Sequence, residues 1–126
     1  MTAAQAINSD RAPQPTGPFS HAVIRDGVVY VGGQGPFGVD GKQVEGDFET
    51  QVRVTLENIK GVLESAGSSL ERVMKVNIFI SDLKYLPDLN RVYTQVFAEP
   101  YPVRTTVQVG PPGFDVEIEA VAALDA

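Results

Sequence analysis

From Phe48 to Leu63 the apolar side chains Phe48, Val52, Leu56, Ile59 and Leu63 recur at steps of three and four. That spacing lines them up along one side of an α-helix. Asp47 stands just ahead of the stripe, where its carboxylate can accept from the amide of Thr50 and cap the first turn. Gly67 follows, suited to the left-handed position that ends a helix. A second stripe, Leu86, Leu89, Val92, Tyr93, Val96 and Phe97, predicts another helix. Pro87 falls in its first turn, and "EPYP" stops it because proline has no amide to donate and restricts the residue before it.

Elsewhere the period is two. In "VMKVNIFI" the side chains of Met74, Val76, Ile78 and Ile80 face one way, with Lys75 and Asn77 on the other, as in a half-buried strand. Two apolar runs flank Asp26-Gly27, a pair that suits the two positive-φ positions of a type I′ turn, so a hairpin is predicted there. "QGPFGVDGKQVEGD" reads as a loop with a further turn at Asp40-Gly41. The final stretch, "PVRTTVQVGPPGFDVEIEA", reads as two strands joined into a hairpin by a Gly/Pro turn. Residues 1–16 are polar and Pro-containing and read as an extended N-terminal arm.

This order predicts one domain over residues 1–126, a two-layer α+β fold with both helices on one face of a mixed sheet. The other sheet face is then open. Val103, Val107 and Val109 on one strand of the last hairpin, and Val116, Ile118, Ala120 and Ala122 on the other, are more apolar than a solvated face requires. A closed homo-oligomer is expected to cover them.

Composition narrows the chemistry. With 126 residues, 43% of them hydrophobic, the chain can bury a core. It has no cysteine and one histidine, His21, which removes disulfides, thiolate metal sites, two-imidazole sites and most catalytic triads. No acidic cluster has the spacing for magnesium, so neither a metal nor another cofactor is expected. There is no secretory leader and no apolar run of the ~20 residues a membrane span needs, so a soluble cytoplasmic protein without a membrane partner is expected. The net charge is −6 and the ten basic residues are scattered, which argues against nucleic acid as a partner.

The last two strands pose the functional question. Alternation puts Arg104, Thr106 and Gln108 opposite the valines, while Glu117 and Glu119 share a face of the following strand. In one register Arg104 lies beside a glutamate and forms a cross-strand salt bridge, contributing ~0–1 kcal/mol on a solvated edge. Alternatively, the guanidinium grips a ligand carboxylate through two parallel hydrogen bonds, and a partly desolvated Glu117 positions or deprotonates a water. Spacing does not decide between these.

Five segments in order, "TGPFSHAV", "VGGQGP", "QVRVTLENIKGVLESAGSSLERVMKVNIFISD", "LNRVYTQVF" and "PVRTTVQV" followed by "VEIEA", resemble the Rid family, the YjgF-type reactive-intermediate deaminases. The likeness runs from about Pro15 to Ala122. It implies a fold like that of the small trimeric chorismate mutases of the Bacillus type, a homotrimer with a central β-barrel and a pocket at each subunit interface. It also implies cofactor-free hydrolysis of imines and enamines such as 2-aminoacrylate/2-iminopropanoate to 2-oxo acids and ammonia. By the same resemblance Arg104 holds the substrate carboxylate and Glu117 holds or activates the water. Asn90 lies near the pocket, and Gly33 and Gln34 present main-chain groups to the ligand.

Three positions depart from that pattern. Phe19 stands where the archetypal members have tyrosine, Gly32 where they have serine, and Thr106 where they often have cysteine. The resemblance therefore implies a less polar, roomier pocket suited to a larger imine or an enamine, or to a trimer that binds a 2-oxo acid without turning it over. An endoribonuclease activity, attached by name to the family, sits poorly with the acidic charge. Tyr101, beside Pro100 and Pro102, is a candidate for the pocket mouth. His21 reads as structural, Tyr93 and Phe97 as core, and Glu119 as a solvated strand residue.

Overall fold

The computed structural model describes residues 3–110 and 113–124. Its strands are β1 (Gln5–Ile7), β2 (Ala22–Arg25), β3 (Val28–Gln34), β4 (Val73–Ile80), β5 (Val103–Gln108) and β6 (Val116–Ala123). The helices are α1 (Phe48–Ser65) and α2 (Leu86–Val96), preceded by 3₁₀ turns at Leu70–Arg72 (before β4) and Leu83–Tyr85 (before α2). The six strands form one mixed sheet in the order β1-β2-β3-β6-β4-β5.

Local signals act where they were expected. Asp26 and Gly27 take φ of 51° and 79°, closing the β2–β3 hairpin with Arg25 opposite Val28. Asp47 accepts from the Thr50 amide at 2.9 Å. At the other end of α1, with Gly67 at φ 86°, the amide of Ser68 reaches back to the Leu63 carbonyl and that of Gly67 to the Glu64 carbonyl, so the last turn's carbonyls find donors. Gly41, at φ 82°, turns the small loop that brings Phe37 opposite Gln43. All five residues of the α1 stripe are buried, as are Leu89, Val92, Tyr93 and Phe97.

The last hairpin does not form. β5 lies parallel to β4, joined to it through α2, whereas β6 runs antiparallel to both β3 and β4 and so sits between them. β4 therefore separates the two strands that sequence proximity would pair. A parallel neighbour needs a long crossover, and α2 supplies one. Placing β6 in the middle buries Val116, Ile118, Ala120 and Ala122 under the helices, beside Val76, Ile78 and Ile80 of β4 and Val29 and Val31 of β3.

A second departure is Met74, expected to face inward but 45% exposed. The register of β4 against β6 slips between Val73 and Lys75, making Met74 the extra residue of a bulge. Val73 takes the buried place instead.

The arm is tied down within its first stretch. β1 adds an edge strand to β2, and Ala12 is fully buried. Arg11 crosses α1 at Gly61, where a β-carbon would come within 2.7 Å of the Arg11 β-carbon. His21 locks the same segment: its Nδ1 accepts from the Ser9 amide at 2.8 Å, so its Nε2 carries the proton and donates to the Pro13 carbonyl at 2.7 Å. Both ring nitrogens are thus committed to structure. No helix among the described residues is long and apolar enough to cross a membrane.

Candidate functional site

Glu117 lies on the face of the sheet that the helices leave open, because it pairs in register with Phe79 of β4, the residue that in turn pairs with Val107 of β5. Its carboxyl packs against Gly33 of β3, where a β-carbon would stand 2.9 Å from Oε2. Partial burial, reinforced by the neighbouring negative charge of Glu119, pushes its proton affinity above the usual carboxylate value. A carboxylate held in that way is a better base than one in water. Beside it opens a cavity of about 230 Å³ walled by Phe19, Phe37 and Phe114, with Gln34 and Pro13.

Helix α1 builds this wall through polar groups on its buried side. Asn58 donates to the carbonyls of Gly35 and Phe37 at 3.2 and 2.8 Å, fixing the loop after β3. Gln51 exchanges two hydrogen bonds with Asp115, side chain to side chain at 2.9 Å and from the Asp115 amide at 3.0 Å. Ser81 binds the same Asp115 carboxylate at 2.7 Å. These bonds set the entry to β6, and so the positions of Phe114 and Glu117. At Gly35 a β-carbon would come 3.1 Å from the Phe37 ring and 3.3 Å from that of Phe114. Glycine there leaves room for the two rings to meet edge to face, with centroids 5.1 Å apart.

Arg104 belongs to the other side of the sheet. It pairs with Val76, which itself pairs with Ala120, and all three point toward the helix layer. On the edge strand β5 that layer is incomplete, so Arg104 is only half-buried. Its guanidinium lies over the Tyr93 ring, 4.9 Å from the centroid, and makes no hydrogen bond or ion pair with any described residue. It borders a separate cavity of about 230 Å³ lined by Tyr93, Thr94, Tyr101 and Pro102. Five N–H donors in a planar fork, backed by an aromatic face, are free to bind an anion. The Tyr93 hydroxyl and Thr106 Oγ1 are buried without partners among the described residues. Burial raises the Tyr93 phenol, and the Arg104 charge partly offsets that rise.

Arg104 and Glu117 therefore do not meet within one chain, and the cross-strand salt bridge open to the sequence is absent. Glu119 is held by Asn77, which donates to it at 2.9 Å. Of the other anticipated residues, Phe19, Gly33 and Gln34 gather around Glu117 and Tyr101 joins Arg104. Asn90 is exposed on α2 and does not line the Arg104 cavity. Gly32 donates its amide to the His21 carbonyl at 3.0 Å, and a β-carbon there would meet only ordinary contacts at 3.6 and 3.7 Å. Sequence reasoning passed over Phe37, Phe114, Gln51 and Asn58. The available signal was the polar pair Gln51 and Asn58 on the apolar side of α1, which burial demands be bonded.

Residues 9–124 match the family model described as Endoribonuclease L-PSP. A RutC family protein of Pyrococcus abyssi is 38% identical over 123 residues, covering 95% of this chain and 97% of its own. The 2-iminobutanoate/2-iminopropanoate deaminase of Dermatophagoides farinae is 35% identical over 128 residues, 99% of this chain and 100% of its own. The crystal structure of Escherichia coli TdcF with bound serine superimposes with a TM-score of 0.88 at 33% identity, covering 96% and 99% of the two chains. Sequence and fold agree along nearly the whole chain, which belongs to the Rid (YjgF) family, some of whose members carry the name of imine deaminases.

Proposed function

We propose that the protein hydrolyses 2-imino and enamine carboxylic acids to 2-oxo acids and ammonia, in pockets that form where two copies of the chain meet. The observation that carries this reading is the separation of its two functional groups. A guanidinium without a hydrogen-bond or ion-pair partner among the described residues and a carboxylate of raised proton affinity lie on opposite faces of one sheet, each beside a cavity. A second copy that brings Arg104 up to its neighbour's Glu117 completes one site per interface. The open face supplies the means, since Tyr30, Val103 and Val107 are 52%, 66% and 40% exposed there. A homotrimer whose sheets close into a barrel satisfies both requirements.

In that site Arg104 grips the substrate carboxylate and Glu117 takes a proton from a water as its oxygen adds to the electrophilic C=N carbon. The carbinolamine that results accepts the proton back on nitrogen. Its C–N bond then breaks, Glu117 takes the hydroxyl proton and passes it to the departing ammonia, and a 2-oxo acid and ammonium are released. Holding the iminium and water together supplies much of the acceleration, since the carbon is already electrophilic.

The test generates 2-imino acids in situ with an amino-acid oxidase and follows imine lifetime and ammonia release. The protein is expected to shorten the lifetime, and Arg104→Ala to abolish the effect with the oligomer intact by sedimentation. Failure to accelerate any of several imines rejects the proposal.

Phe19 favours a second reading. With a phenyl ring and no hydroxyl at position 19, the same pocket holds a 2-oxo acid without turnover, seen as calorimetric binding in the absence of catalysis. RNA cleavage, which the family model's description names, sits poorly with a net charge of −6 and a sole imidazole committed at both nitrogens.

A further inference from the structure

We infer that the imino acid taken by this site carries a bulky apolar side chain, aromatic above all, seated between Phe19, Phe37 and Phe114 while its imine carbon lies at Glu117. The inference rests on the reading just given and names the substrate class for it. Three aromatic rings wall a cavity of about 230 Å³ that has the Glu117 carboxyl as part of its lining. Two of those rings are fixed. Phe37 and Phe114 meet edge to face, their backbones tied to α1 through Asn58 and through Gln51 and Asp115. The polar imidazole in the lining is spent on Ser9 and Pro13, so it offers an incoming group no hydrogen bond from either nitrogen.

A methyl-sized side chain would leave this space to water lying against aromatic surface. An aryl side chain displaces that water and meets ring faces and edges. Phe19, 58% exposed, forms the third wall. Each added methylene in a fitting pocket is worth about tenfold or more in discrimination, so a preference of at least about tenfold for the aryl substrate follows.

The experiment compares kcat/KM for imino acids produced from phenylalanine, leucine and alanine, with the uncatalysed decay subtracted. The expected order is phenylalanine, then leucine, then alanine, with the first at least about tenfold above the last. Phe19→Ser, an exposed position that tolerates the change, is expected to shrink that ratio several-fold. An equal or reversed order in the wild-type protein overturns the inference while leaving deaminase activity standing. If no imine is hydrolysed at all, the proposed function fails, and calorimetric titration with phenylpyruvate and pyruvate decides the cavity separately. About tenfold tighter phenylpyruvate supports the aromatic seat, and equal or weaker binding overturns it.

Discussion

Gly33→Ala isolates the placement of Glu117 from everything else. Gly33 lies outside the left-handed region, so alanine brings no backbone strain, and the residue is exposed, so it leaves the core intact. What changes is one contact. The new β-carbon would lie 2.9 Å from Oε2 and 3.0 Å from Cδ of Glu117, against ordinary contacts that begin at 3.4 Å. The carboxyl must therefore retreat by about 0.5 Å, the difference between 3.4 and 2.9 Å. A misplacement of ~1 Å costs ~100-fold in rate, so half of that predicts a kcat about tenfold lower, or ~1.4 kcal/mol of barrier. The melting temperature should stay within about 2 °C of wild type, because a surface change of this kind is worth only ~0.5 kcal/mol. Steady-state kinetics on an oxidase-generated imino acid and a thermal melt measure both quantities. A kcat within twofold of wild type would show that the carboxyl beside Gly33 is not the group that handles water.

Glu117→Gln tests the electrostatics. Burial raises the folded-state proton affinity of Glu117, so its ionised form costs stability above that raised value, and the cost is relieved as pH falls through it. The glutamine variant should be the more stable at pH 7–8, with the gap closing toward ordinary carboxylate values near ~4.3, as read from melts across pH. In the wild-type protein kcat/KM should decline on the acid side at a pH above that ordinary value, because water activation needs the ionised form. Asn58→Ala leaves the Phe37 carbonyl without its donor and the Gly35 carbonyl with the Phe37 amide alone, and should cost ~1–3 kcal/mol, a drop of about 5–10 °C by calorimetry. Tyr93→Phe removes a buried hydroxyl that has no partner among the described residues and keeps the ring under Arg104. Stability should hold or rise by up to ~1 kcal/mol, and 2-oxo acid affinity should stay within about twofold. Val107→Asp places a charge on the open face and, on the proposed assembly, should yield a monomer in sedimentation and take turnover with it.

Much of this architecture could be read along the chain. The helices, the Asp26-Gly27 hairpin and the caps at Asp47 and Gly67 depend on residues within one turn or one loop of each other, and local periodicity and turn chemistry specify them. The family likeness was equally accessible, since it lies in runs such as "PVRTTVQV" and "VEIEA". The role of Asn58 was harder to see, because a buried polar side chain announces a need for partners without naming them.

The pairing of β5 and β6 belongs to the tertiary structure alone. Alternation in β5 and β6 divides each strand into two faces, yet it does not say which strand lies between them or which face each presents to the helices. Inserting β6 between β3 and β4 buries the larger apolar set, and β5 is left to pair in parallel at the edge. That choice sets Arg104 toward the helices and Glu117 on the open face. Pairing is decided by total burial across the sheet, a sum over contacts far apart in sequence, so no local stretch of the chain contains it.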